Sequence, residues 1–255
     1  MKRIVLTVII AGLLLTACGG TASTATQPPA IPTDLPTNTA IPEPTATATV
    51  APSPTPYPVV FRDDFEGVLD AGWSWTRENK QGWSLTNNPG WLEIMARAGS
   101  VGDGTMENLL LRTAPEGNFE LEIKLNFRPV ENFQFAGVTV FESVANFINF
   151  GRAYCGYTPE PCAGDGFYLD NTVGGTFDPE NFSIAAPQVD VVYLRLRRES
   201  DKFTAYASED GINWQLIGSH SNSMKPLLVG LISGQAYQSV PKPAQFDYFV
   251  IYALP

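Results

Sequence analysis

From Phe119 to Phe127 apolar and polar residues alternate without a break. Phe119, Leu121, Ile123, Leu125 and Phe127 fall on one side, and Glu120, Glu122, Lys124 and Asn126 on the other. Period two with one apolar face predicts an antiparallel strand whose second face meets water. The stretch "YLRLRRESDKFTAYASEDGINWQLIG" predicts a meander. Leu194 and Leu196 alternate with Tyr193, Arg195 and Arg197; a polar turn follows at Ser200-Asp201; then Phe203, Ala205 and Ala207 alternate. Asp210-Gly211 predicts a tight hairpin, because a primed turn needs positive φ. No stretch carries the 3.6-residue period of a long amphipathic helix. Short strands separated by turn signals predict an all-β sandwich of two antiparallel sheets over residues 59–255.

The first residues follow another pattern. Lys2 and Arg3 precede Ile4–Leu15, an almost unbroken apolar run without charge. That run is short of the roughly 20 residues a spanning helix needs. A basic start, a short apolar stretch and small residues predict an export signal over 1–17. Its junction, Leu15-Thr16-Ala17-Cys18, resembles a bacterial lipobox, which implies that Cys18 carries lipid and becomes the first residue of the mature protein. Multiple acyl chains give a lasting membrane anchor where one would not. Residues 18–58 are almost wholly Thr, Pro, Ala and Ser. Proline fixes φ and removes backbone donors, and little apolar bulk is present to offset ordering entropy. This segment reads as a disordered stalk, able to reach on the order of 100 Å if extended. The domain after it is expected outside the cytoplasm, at the cell surface.

Composition narrows the partners. The formal net charge is −10, and the domain has no basic run that could follow a phosphate backbone or an anionic bilayer, so nucleic acid is not an expected partner. Cys155 and Cys162 flank a short Gly/Pro loop, "AYCGYTPEPCAGDG". In an oxidising compartment that pattern predicts a disulfide. A metal site would need further ligands, and the single histidine, His220, stands in the polar context "GSHSNS" and receives no role.

Taken together, "FRDDFEGVLDAGWSWTREN", "GWSLTNNPGWLEI", "NLLLRTAPEGNFELEIKL", "DGFYLDN", "YLRLRRES", "SEDGINWQLIG" and "AQFDYFVIY" resemble the C-terminal concanavalin A-like domain of the β-xylosidase and arabinosidase group of glycoside hydrolases. The resemblance implies a two-sheet jelly roll with a concave face and a link to glycans. In that group the catalytic carboxylates belong to a separate propeller domain, whereas a stalk precedes Arg62 here. Xylosidase activity is therefore not expected, and no catalytic residue is assigned.

Glycanases of the concanavalin A-like class carry closely spaced acids on one strand, flanking the glycosidic bond. Glu120 and Glu122 share a face, but Lys124 takes the next position. An ion-paired strand face is the preferred reading; a cryptic glycanase and a structural module without a small ligand are the alternatives. Trp73, Trp75, Trp83 and Trp91, at strand spacing, are expected in the core more than on a sugar platform, with Trp91 the most exposed. For glycan binding the best-equipped surface combines aromatic rings with guanidinium forks: Tyr193, Arg195, Arg197 and Tyr206, with Trp91 in reserve. Pairing of these arginines with Glu120 and Glu122 across the sheet is the competing expectation. Sandwiches of this broad type often hold a structural Ca²⁺ between first and last strands, and Asp63, Asp64 and Asp247 could supply oxygen ligands. Turn capping is the simpler role for them.

Overall fold

The computed structural model describes residues 57–157, 162–178, 182–226, 228–234 and 240–255. Cys18, the signal segment and all of the stalk before Tyr57 lie outside them. Sixteen strands and no helix are found among the described residues. In chain order they are β1 (Val59–Asp63), β2 (Ser74–Thr76), β3 (Trp83–Ser84), β4 (Leu92–Ala96), β5 (Leu109–Thr113), β6 (Phe119–Asn126), β7 (Phe135–Ser143) and β8 (Asn146–Cys155). There follow β9 (Gly164–Val173), β10 (Thr176–Phe177), β11 (Phe182–Ala185), β12 (Val191–Glu199), β13 (Lys202–Ser208), β14 (Gln215–Ser221), β15 (Leu228–Gly234) and β16 (Lys242–Ala253).

They form two antiparallel sheets. The first runs β14-β13-β12-β6-β16-β4-β3, with β1 also on β16; the second runs β10-β9-β8-β7-β15-β5-β2, with β11 also on β9. β16 serves two neighbours along one edge. Residues 242–246 pair with β4 and residues 249–252 with β1. The register slips between Phe246 and Tyr248, so the inward side changes from Ala244 and Phe246 to Phe249 and Ile251. Asp247 is the extra residue of that bulge, which swaps side-chain parity.

The core lies between the sheets. Phe119, Leu121, Ile123, Leu125 and Phe127 all enter it, at 0–1% exposure, as their alternation predicts. Each such side chain contributes about 1.5–3 kcal/mol of apolar burial. The polar face of β6 differs from the expectation: Glu120 and Glu122 do not meet water and are 3% and 7% exposed. Neighbouring side chains lie over them, as described below. A second apolar cluster, including Val101, Met106, Phe135, Phe147, Tyr168 and Ile232, covers part of the outer face of the second sheet.

The meander is β12, β13 and β14, and the turn at Ser200 carries a positive φ of 56°. The Asp210-Gly211 hairpin is wider than a two-residue turn, because β13 ends at Ser208 and β14 starts at Gln215. The Asp210 carboxylate explains the width. It accepts from the backbone N–H groups of Ile212 and Asn213 and from the Asn213 side chain, winding the chain around one side chain. These donors, the Asn213 N–H foremost, hold Asp210 well below the usual carboxylate range. Cys155 and Cys162 are joined by a disulfide.

Candidate functional site

The face proposed from sequence for sugar binding lies on the outside of the first sheet. Antiparallel register sets Arg195 opposite Glu122 and Arg197 opposite Glu120. Arg195 Nε donates to Glu122 Oε2 at 2.5 Å, and Arg197 Nε to Glu120 Oε2 at 2.8 Å. Tyr248 OH donates to Glu122 Oε1 at 2.7 Å. Burial, with the Glu122 charge beside it, pushes the Tyr248 phenol far above its ordinary range. Both carboxylates are thus covered and bonded, and neither is left to flank a glycosidic bond. The competing expectation, cross-strand pairing, is what the geometry contains.

The aromatic rings of this face stack on the same cations. The Arg195 guanidinium lies 3.8 Å from the Trp214 ring centre, and Arg197 lies 6.0 Å from Tyr206 and 5.7 Å from Tyr57. Tyr193 lies against Gly211, where an added Cβ would meet its ring at 3.2 Å. Trp91 lies beside Lys124, whose Nζ is 5.2 Å from its ring centre, and Lys124 faces Tyr193 across β6 and β12. Trp73, Trp75 and Trp83 pack against the core. Trp73 Nε1 donates to Asp63, and Trp75 and Trp83 stack at 4.8 Å.

The three aspartates considered for calcium are not gathered. Asp63 accepts from the N–H groups of Phe65 and Asp70 and from Trp73. Asp64 pairs with Arg62, and Asp247 with Lys124. These partners are those of turn-capping and ion-paired carboxylates, and no cluster of three or more metal-ligating side chains occurs among the described residues. His220 differs from its expected polar loop. It lies in β14, 5% exposed, with Nε2 3.2 Å from the Leu169 carbonyl and Nδ1 3.3 Å from Asp178, bracing the first sheet against β9.

A cleft of about 290 Å³ opens on the outside of the second sheet. Its polar floor is built by register, Asn149 facing Asp170 across β8 and β9. The same row continues beyond the cleft through Thr139 on β7, which is fully buried, to Gly230 on β15. Side chains two residues away flank it, with Phe141 and Phe147 on one side and Tyr168 and Ile232 on the other. The loop after β4 folds over the face. It is held by N–H bonds from Gly104 to the Val101 carbonyl and from Thr105 to the Ser100 carbonyl, and it sets Val101 and Met106 into the walls. Phe177 stands at the rim, 54% exposed. Sequence reasoning missed this place. The available signal was a polar residue interrupting a short apolar run in each strand, Asn149 in "FINF" and Asp170 after "FYL".

Burial pushes the Asp170 carboxyl up to about 7. The one other charged side chain among the described lining residues is Asp103, and Tyr168 is the titratable neighbour on the same strand. The folded protein therefore keeps a proton on Asp170 where the unfolded chain has released it. The resulting penalty is absent below about pH 4, grows as pH rises and is complete above about pH 7. Asp170→Asn removes this group. The melting temperature of the unaltered chain relative to that of the variant is expected to fall between pH 5 and pH 8. An unchanged difference across that range would contradict the assignment.

The chain was compared with known proteins. Residues 62–251 match the family described as the β-xylosidase C-terminal concanavalin A-like domain. No match was found among curated proteins. Among solved structures, the GH43 protein BlXynB from Bacillus licheniformis superposes with a TM-score of 0.68 at 20% identity, over 76% of this chain and 39% of its own. Xylan β-1,4-xylosidase from Bacillus halodurans C-125 gives 0.63 at 22%, over 79% and 40%. The GlcNAcα1-4Gal-releasing endo-β-galactosidase of Clostridium perfringens gives 0.53 at 12%, over 77% and 62%. At these identities the structures share the fold, and this chain spans about two fifths of the length of the two GH43 proteins. With 190 consecutive positions (62 to 251) under the family match and two facing antiparallel sheets, the chain belongs to the β-xylosidase C-terminal concanavalin A-like domain family.

Proposed function

We propose that this protein is an exported lipoprotein that displays a non-catalytic, glycan-binding sandwich at the cell surface. The observation that carries binding is the cleft on the second sheet, where a row of hydrogen-bonding side chains lies between aromatic and aliphatic walls. Sugars ask for that combination, apolar surface for their C–H faces and polar groups for their hydroxyls. Family membership supports a carbohydrate-related role. The pairing of Glu120 and Glu122 with Arg197 and Arg195 argues against hydrolysis on the first sheet. The same pairing favours the cleft over the face of Tyr193, Arg195, Arg197, Tyr206 and Trp91 as the docking place, because the guanidinium forks there already hold carboxylates.

Anchorage rests on Leu15-Thr16-Ala17-Cys18 and on the Thr/Pro-rich stalk that follows. Cys18→Ser removes the thiol that would take the diacylglycerol. The variant is expected to lose lipid labelling and to leave the membrane fraction. A variant that stays with the membranes would place the anchor elsewhere.

A further inference from the structure

We propose that the cleft on the second sheet takes one uncharged pyranose residue of a glycan, a chain end or a branch, with its hydroxyls on Asn149 and Asp170 and its C–H face against Phe147. This rests on the glycan-binding reading above and assigns its site and ligand class. Four observations lead there.

The first is an unsatisfied acceptor. Asn149 stands on the floor of the cleft and is 9% exposed, yet its Oδ1 has no hydrogen-bond partner among the described residues. Buried amide oxygens are nearly always paired, and each orphan is costly. A ligand hydroxyl arriving in the cleft is the donor that this position lacks. Thr139, the next residue of the row on β7, is fully buried with its hydroxyl on the Ile148 carbonyl, so the Asn149 oxygen is not satisfied from that side.

The second is charge. The charged side chains among the described lining residues are Asp103 and Asp170, and no cation joins them. Asp103 is held by the Ser100 hydroxyl at 2.8 Å. Uronates, sulfated sugars and phosphates would face two carboxyl groups without a counter-charge. An ammonium group would find no carboxylate charge on the floor while Asp170 is protonated. The Asp170 carboxyl, pushed up by burial, carries a proton below neutrality and then offers both a donor and an acceptor.

The third is shape. About 290 Å³ is at the small end of ligand pockets, which run roughly 300–1,000 Å³, and suits one ring rather than a run of several. Phe147 forms the apolar wall on one flank of the polar row, and the rim ring of Phe177 stands where a second residue of the glycan would leave the cleft.

The fourth is preorganisation. The covering loop is closed by its own backbone bonds, and at Gly99 (φ 129°) an added Cβ would meet the Thr105 carbonyl at 2.8 Å. A wall held in this way binds without first being ordered, which lowers the entropic cost of association.

The test is calorimetric titration of the full chain with matched oligosaccharides: neutral pentose and hexose oligomers, galacturonic acid oligomers and glucosamine oligomers. Saturable binding is expected for a neutral member alone. Asn149→Leu keeps the branched shape and removes the amide, and is expected to weaken binding at least tenfold. Phe177→Ala alters an exposed ring, leaves the melting temperature unchanged, and is expected to weaken binding about threefold. Should Asn149→Leu fail to fold, Phe177→Ala still decides the place, aided by saturation-transfer contacts from aromatic protons to the sugar. Neutral-sugar binding that survives both changes would overturn the site while leaving the glycan reading intact. Binding confined to the acidic or amino sugars would overturn the ligand class. No binding of any member by the unaltered chain would overturn the glycan reading itself.

Discussion

Arg152→Met is expected to lower the stability of the domain by about 3–5 kcal/mol, the usual cost of stranding one half of a buried ion pair. Arg152 is fully buried, on the same side of β8 as Ile148 and Phe150, and so lies at one end of the space between the sheets. Its five N–H donors are all used. Nε and Nη2 form a fork on Asp165 at 2.7 Å each, Nη2 also reaches the Pro187 carbonyl, and Nη1 reaches those of Val189 and Asp190. One side chain thereby ties β8 to β9 and to the segment before β12. Methionine fills much of the volume but leaves a carboxylate and the Pro187 and Val189 carbonyls without their donors, while the Asp190 carbonyl keeps the Phe127 N–H. Arg128, 3.8 Å from Asp165, is too distant to replace the fork. Arg152→Lys should recover less than half of the loss, because an ammonium cannot match the planar geometry. Adding Asp165→Leu to Arg152→Met should recover more, since the stranded charge goes with it. Urea midpoints read all three, and a loss under about 1 kcal/mol for Arg152→Met would contradict the role.

Gly137→Ala is the second large effect, for a steric reason. β7 and β8 approach so closely at the facing pair Gly137 and Gly151 that a Cβ on Gly137 would lie 2.1 Å from the Phe150 carbonyl oxygen and 2.5 Å from the Gly151 Cα. Both obstacles are backbone, so the strands themselves must separate. Overpacking in a core costs about 1–3 kcal/mol where side chains can shift, and about 3 kcal/mol or more is expected here. Gly117→Ala is the control. Gly117 has φ of 76°, but an added Cβ there meets nothing within 4 Å, so only the conformational cost of about 1 kcal/mol applies. Thermal unfolding of the two variants separates crowding from backbone strain. Equal losses would remove the crowding argument.

These positions also show what a linear reading reaches. The alternation of Phe119 to Phe127 and of Leu194 and Leu196 led directly to β6 and β12, because period two is a local property of the chain. The pairing of Arg195 and Arg197 with Glu122 and Glu120 was foreseen as a competing arrangement, since complementary charges at matching spacing suit adjacent strands. Their burial was not, because it depends on Tyr248 and Trp214 arriving from elsewhere. The width of the Asp210 loop was missed for a similar reason. A two-residue signal cannot show that one carboxylate will gather several donors. The cleft was the least legible feature. Asn149 and Asp170 are separated by 21 positions along the chain (149 to 170) and become neighbours only through the register of β8 and β9.

The central claim is that this domain holds a glycan and does not cut it. The direct measurement is equilibrium dialysis of the full chain against a radiolabelled neutral oligosaccharide that it binds, followed by chromatography of the recovered sugar. The account predicts saturable retention, with the oligosaccharide recovered at its original length and no new reducing ends after prolonged incubation. Shortened products that disappear in a Glu120→Gln or Glu122→Gln variant would contradict it and restore a hydrolytic role to the first sheet.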